Sequence, residues 1–176
     1  PARRLLPMEH VLRLTTEVLA GLNYAHDSGV IHQDLKPANI LIENRNGRAL
    51  IADFGIAKAK QAEYLARGIV VGTPIYLSPE QAAAKDTDAR TDLYAVGVIL
   101  LELLAGHLPI RAENANDTVA RKIRSPESFF ISKPRDCHPR ITPPLESVIL
   151  RATHTDPGHR FPNAKVFSRA ISEAWA

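Results

Sequence analysis

The chain has 176 residues, 45% of them hydrophobic and 23% charged, with a formal net charge of +3. That is one domain's worth of globular material with enough apolar residues for a core, and it excludes a disordered or low-complexity segment. The charge is too mild and too dispersed to argue for nucleic acid. The longest apolar run, Leu93 to Leu101 before Glu102, is far below the roughly 20 residues that span a bilayer, so it reads as a buried helix with no membrane span. No apolar signal-peptide core follows Arg3 and Arg4. The single cysteine, Cys137, allows no internal disulfide or thiol metal cluster, and fits a reducing, cytoplasmic setting.

In chain order, apolar residues at Met8, Val11, Leu12, Val18, Leu19, Leu22 and Ala25 fall at helical spacing. They predict a helix over 8–28 that starts beside Pro7 and stops at Gly29. Three short strand-like runs follow: Val30-Ile31, Ile40-Leu41-Ile42 and Ala49-Leu50-Ile51. The Asn46-Gly47 pair predicts a hairpin between the last two. Residues 54–80 show no clear period, as functional loops often do. Residues 91–105 are apolar nearly all round and predict a buried helix ending at Gly106. Shorter helices are expected near 117–124, from the Thr142 cap to about Thr153, and over 163–175. The basic stretch holding Arg121, Lys122, Arg124, Lys133, Arg135 and Arg140 reads as a solvated loop. His154 and His159 read as surface residues, and Phe129-Phe130 as packing under a loop.

The chemistry concentrates at His32-Gln33-Asp34-Leu35-Lys36-Pro37-Ala38-Asn39, with Asp53-Phe54-Gly55 beginning fourteen residues after Asn39. An acid, a cation and an amide share one loop, and the hairpin folds a second acid back beside them. Two carboxylates and an amide oxygen are hard ligands of the kind Mg²⁺ takes together with substrate phosphates.

This order of motifs resembles the protein kinase family, whose signature motifs carry out phosphoryl transfer. The resemblance continues through Gly72-Thr73-Pro74, Ser78-Pro79-Glu80, Asp92 with Gly97, and Asp156-Pro157 with Arg160. The wording around Ser78 is most similar to the eukaryotic-type serine/threonine kinases of bacteria. The fold class it implies is α+β: a protein-kinase-like C-terminal lobe over residues 1–176, mainly helical with a small β-hairpin. The catalytic loop would be 32–39 and the activation segment 53–80.

The resemblance further implies that Asp34 accepts the proton of a protein Ser/Thr hydroxyl and Lys36 neutralises charge on the γ-phosphoryl of ATP. Asn39 and Asp53 would hold Mg²⁺, Leu41 would lie under the adenine ring, and Thr73 would serve the substrate-docking loop. His32 and Phe54 are expected to stack, Asp92 to anchor the catalytic loop, and Glu80 to pair with Arg160.

Two features depart from the family pattern. Gln33 stands where an arginine is usual between the catalytic-loop His and Asp. The stretch from Ile56 to Gly72 carries no Ser or Thr, and Tyr64 is its one hydroxyl. Together they predict that activation-loop Ser/Thr phosphorylation is not the switch. The chain also lacks the family's Gly-rich loop and strand lysine and begins with Pro1, so an N-terminal, ATP-covering lobe is expected upstream. The chain alone is expected to transfer phosphate slowly or not at all, and a longer parent could be membrane-anchored with this part cytoplasmic. The competing readings are a non-catalytic kinase-like interaction module and a small-molecule phosphotransferase. Retention of Asp34, Lys36, Asn39 and Asp53 argues against the first. Ser78-Pro79-Glu80, Asp92 and Arg160 argue for a protein substrate over the second.

Overall fold

A computed structural model describes residues 5–54 and 74–176. Helix α1 (Met8–Asp27) buries Val11, Leu12, Thr15, Val18, Leu19, Leu22 and Ala25, one stripe at helical spacing. Gly29, at φ 75°, turns the chain out of the helix. Val30-Ile31 is not a strand: the Val30 amide returns to the Ala25 carbonyl at 2.9 Å as part of the helix exit. Two residues are too few for alternation to separate a strand from an extended link.

Strands β1 (Ile40–Ile42) and β2 (Ala49–Ile51) pair antiparallel, with Leu41 opposite Leu50. Gly47 (φ 69°) closes the connecting loop, its amide donating to the Glu43 carbonyl at 2.8 Å. Helix α1 fixes this hairpin in place. Glu17 accepts from the Ala49 amide at 2.7 Å, and Arg13 donates to the Gly47 carbonyl at 3.1 Å.

The second half is helical: α2 (Pro79–Ala82), α3 (Arg90–Ala105), α4 (Ala115–Arg124), α5 (Pro134–Cys137), α6 (Pro143–Ala152) and α7 (Ala164–Trp175). Helix α3 is buried on almost every side, as its sequence requires, and packs between α1 and α6. Asn114, Thr142 and Asn163 cap α4, α6 and α7 with their side chains. The Asn114 cap starts α4 two residues before the expected position. Helices α2 and α5 have four residues each, too short for any period to show.

Gly97 lets α3 and α6 approach closely. A Cβ there would sit 2.8 Å from the Ala152 Cβ and 2.9 Å from the Thr153 Cγ2. Gly97→Ala is therefore expected to cost about 1–3 kcal/mol by overpacking, read as a lowered Tm in a thermal melt.

The basic stretch is not uniformly solvated. Arg140 donates to the Leu103 and Leu104 carbonyls, each at 2.6 Å, and to the Leu6 carbonyl at 2.8 Å. It thereby satisfies carbonyls that the end of α3 leaves open. Lys122 is fully buried. Phe129 is buried with Phe130 edge-on at 5.1 Å, which is packing as expected. The His154 and His159 rings stack at 4.6 Å, and the described residues hold no metal-ligating cluster.

Candidate active site

The site begins at the buried α3 residue Asp92. Its Oδ2 accepts from the His32 amide and its Oδ1 from the Gln33 amide, both at 2.8 Å. His26 Nε2 also lies 2.8 Å from Oδ2. A carboxylate buried at the start of a helix is sustained by these donors and by the helix N-terminus. Asp92 thus pins the loop over 32–39 to the rigid core, the anchoring expected of it from the sequence.

His32 Nε2 donates to the Ala52 carbonyl at 2.9 Å, which leaves Nδ1 to accept from the Asp34 amide at 3.2 Å. The His32 ring lies 4.8 Å from that of Phe54, tilted by 55°. This one side chain joins the catalytic loop to the strand end that carries Asp53.

Lys36 Nζ donates to Asp34 Oδ2 at 2.7 Å, and Asn39 Nδ2 donates to the Asp34 carbonyl at 2.8 Å. The Asn39 amide is therefore oriented by its nitrogen, leaving Oδ1 as the atom suited to a hard cation. Asp53 sits just past β2, where the Ala52 amide donates to the Asn39 carbonyl at 2.9 Å. Its φ of 62° is uncommon for a non-glycine residue, and its side chain is exposed. An amide oxygen and an exposed carboxylate at adjoining strand ends are hard donors of the kind Mg²⁺ takes. Leu41 is 53% exposed beside its cross-strand partner Leu50 at 42%, an apolar shelf next to the loop.

Glu80 and Arg160 form a buried two-pronged pair, Nη1 to Oε1 at 2.7 Å and Nη2 to Oε2 at 2.8 Å. Burial pushes the Glu80 carboxyl up, but hydrogen bonds and charge from Arg160 outweigh it and hold it below the usual carboxylate range. Thr73 and Tyr64 lie outside the described residues.

Sequence reasoning missed three further anchors of the segment over 74–82. The Tyr76 hydroxyl donates to Glu102 Oε2 at 2.7 Å. Lys122 Nζ donates to the Leu77 carbonyl at 2.6 Å and to the Tyr94 hydroxyl at 3.1 Å, and it lies 3.9 Å from the centre of the Phe129 ring. Burial pushes the Lys122 ammonium well below the ordinary lysine range, and Glu80 only partly opposes this. Gln81 completes a capping box with Ser78. Its signal, Ser78-x-x-Gln81, was readable in the sequence. No pattern of charge or period announces a lysine buried under two rings.

The protein kinase domain family matches residues 2–173. The chain belongs to the protein kinase family. Pkn1, a serine/threonine-protein kinase of Myxococcus xanthus, is 40% identical over 172 residues, covering 94% of this chain and 24% of that protein. The serine/threonine-protein kinase PknB of Mycobacterium leprae is 33% identical over 161 residues, covering 90% of this chain and 25% of that protein. The crystal structure of the Mycobacterium tuberculosis PknI kinase domain superposes with a TM-score of 0.71 at 29% identity, over 98% of this chain and 58% of that one. The chain thus spans about a quarter of the length of these curated relatives, and its fold is that of a kinase C-terminal lobe.

Proposed function

We propose that this chain is the base, metal-holding and substrate-platform part of a serine/threonine protein kinase that moves the ATP γ-phosphoryl group to a protein hydroxyl. The observation that carries this reading is the cluster at Asp34. Its carboxylate receives Lys36 at 2.7 Å, and its own backbone carbonyl receives Asn39 at 2.8 Å.

Asp34 accepts the proton as the substrate oxygen forms its bond to phosphorus and the bond from phosphorus to the bridging oxygen of ADP breaks. Lys36 has three N–H donors and spends one on Asp34, so the others can meet the charge on the transferring group. Asn39 and Asp53 would hold Mg²⁺, which supplies charge neutralisation on the phosphates. Leu41 and Leu50 offer the shelf for the adenine ring. The docking loop beyond Pro74, anchored by Tyr76, Lys122 and Arg160, would seat the protein substrate.

This reading leaves the upper face of the nucleotide to a preceding lobe. The exposure of Leu41, Ile42 and Leu50, together with the 58% coverage of the PknI kinase domain, supports that division. The expected result is little or no phosphotransfer by residues 1–176 alone, and turnover at about 1–100 per second once a nucleotide-covering lobe is joined. Single-turnover assays with radiolabelled ATP and Mg²⁺ check both arms. Full turnover by residues 1–176 alone would overturn the division of labour.

A further inference from the structure

We infer that Gln81 is a positioning residue for Asp34, coupling the substrate-docking loop to the peptide unit that precedes the catalytic carboxylate. The inference deepens the kinase reading and rests on it for the role of Asp34.

The two ends of Gln81 serve two different loops. Its Oε1 accepts from the Ser78 amide at 3.0 Å, and its Nε2 donates to the Gln33 carbonyl at 2.6 Å. The Gln33 carbonyl and the Asp34 amide belong to one rigid peptide plane. The other side of that plane is held as well, because the Asp34 amide donates to His32 Nδ1 at 3.2 Å. Both polar groups of the peptide are therefore occupied, and the plane cannot rotate without breaking a hydrogen bond on each side.

This matters because the local backbone is costly. Gln33 has φ 66°, a left-handed conformation that a non-glycine side chain adopts only when its surroundings impose it. Among the described residues no strand or helix ladder reaches this carbonyl. The Gln33 side chain adds a tether of its own, donating from Nε2 to Thr87 Oγ1 at 2.8 Å. The residue that stands in for the usual arginine is thus held by uncharged groups on the segment after α2. The orientation of Asp34 follows from the Gln33–Asp34 plane, so a shift of the buried Ser78 backbone passes to Asp34 through one side chain. Helix α2 also places Glu80 toward Arg160, so Gln81 sits on a mounted platform.

The test separates the two ends of the side chain. Gln81→Glu keeps an acceptor for the Ser78 amide but turns an oxygen lone pair toward the Gln33 carbonyl. Gln81→Met removes both functions. In residues 1–176, Gln81→Glu should speed amide exchange at Gln33, Asp34 and Leu35 about tenfold, the scale of one buried carbonyl left unpaired, with exchange in α6 and α7 unchanged. Gln81→Met should do the same and also loosen residues 78–82. In a kinase-competent chain, Gln81→Glu should lower kcat by about tenfold with the KM for ATP within about twofold. Unchanged exchange at 33–35, or acceleration spread equally over every helix, would overturn the coupling. Local acceleration together with no phosphotransfer by the unsubstituted chain even when joined to a nucleotide-covering lobe would leave the coupling standing and remove the kinase reading. Phosphotransfer that Gln81→Glu leaves untouched, with exchange untouched, would do the reverse.

Discussion

Arg160→Ala is expected to destabilise the fold by about 3–5 kcal/mol, because it strands a buried carboxylate. The Arg160 side chain is fully buried and that of Glu80 is 9% exposed. The guanidinium also donates to the carbonyls of His154 at 2.7 Å, Thr155 at 3.1 Å and Arg90 at 3.2 Å. It therefore ties the docking loop to the start of α3 and to the turn before α7. Without it, the Thr91 hydroxyl, at 2.8 Å, is the one side-chain donor left to Glu80 among the described residues. For a chain of this length the loss corresponds to roughly 6–20 °C in Tm. Hydrogen exchange should rise first in residues 74–82.

The pH dependence has a definite sign. Glu80 is held below its ordinary range in the folded protein, so its contribution is full above the unfolded carboxyl value and is lost as pH falls through the folded one. In Arg160→Ala burial is opposed only by the Thr91 and backbone hydrogen bonds that remain, so the Tm gap between parent and variant should narrow in acid. A gap that widens in acid, or exchange unchanged at 74–82, would contradict this account of the pair.

With residues 1–176 joined to a nucleotide-covering lobe, Asp34→Asn is expected to lower kcat by about 10²–10⁴, the usual contribution of a positioned proton acceptor, with little effect on stability. The asparagine is nearly isosteric and keeps an oxygen for Lys36, but it cannot take the substrate proton. The backbone contacts of residue 34, to Asn39 and His32, do not involve the side chain and should persist. The measurement is kcat against Tm in the same preparation. A loss of activity accompanied by an equal loss of folded protein would assign Asp34 a structural part instead.

Much of the lobe was legible in the sequence, for identifiable physical reasons. The stripes of α1 and α7, the all-round apolar α3 and the Asn46-Gly47 turn are periodic or conformational signals that survive without tertiary context. Asp92, Glu80 and Arg160 were legible through the family resemblance, and their contacts came out as it implied. What stayed hidden depends on partners distant in the chain. Lys122 looks like any lysine of a polar helix until Tyr94 and Phe129 close over it. Arg140 looks like a loop charge until the end of α3 presents its carbonyls. Gln81 carried a capping signal, yet its link to Gln33 joins residues 48 positions apart. Val30-Ile31 failed as a strand because its one backbone bond is local.

If this lobe supplies the chemistry of a serine/threonine kinase, phosphate ends on serine or threonine and Asp34 is needed to put it there. The most direct measurement joins residues 1–176 to a nucleotide-covering lobe and supplies ATP labelled at the γ-phosphate, Mg²⁺ and protein substrate. Acid hydrolysis then identifies the labelled amino acid, for the parent and for Asp34→Asn. The expected result is label on serine or threonine in the parent and loss of that label in the variant. Label on tyrosine, or equal labelling by Asp34→Asn, would contradict it.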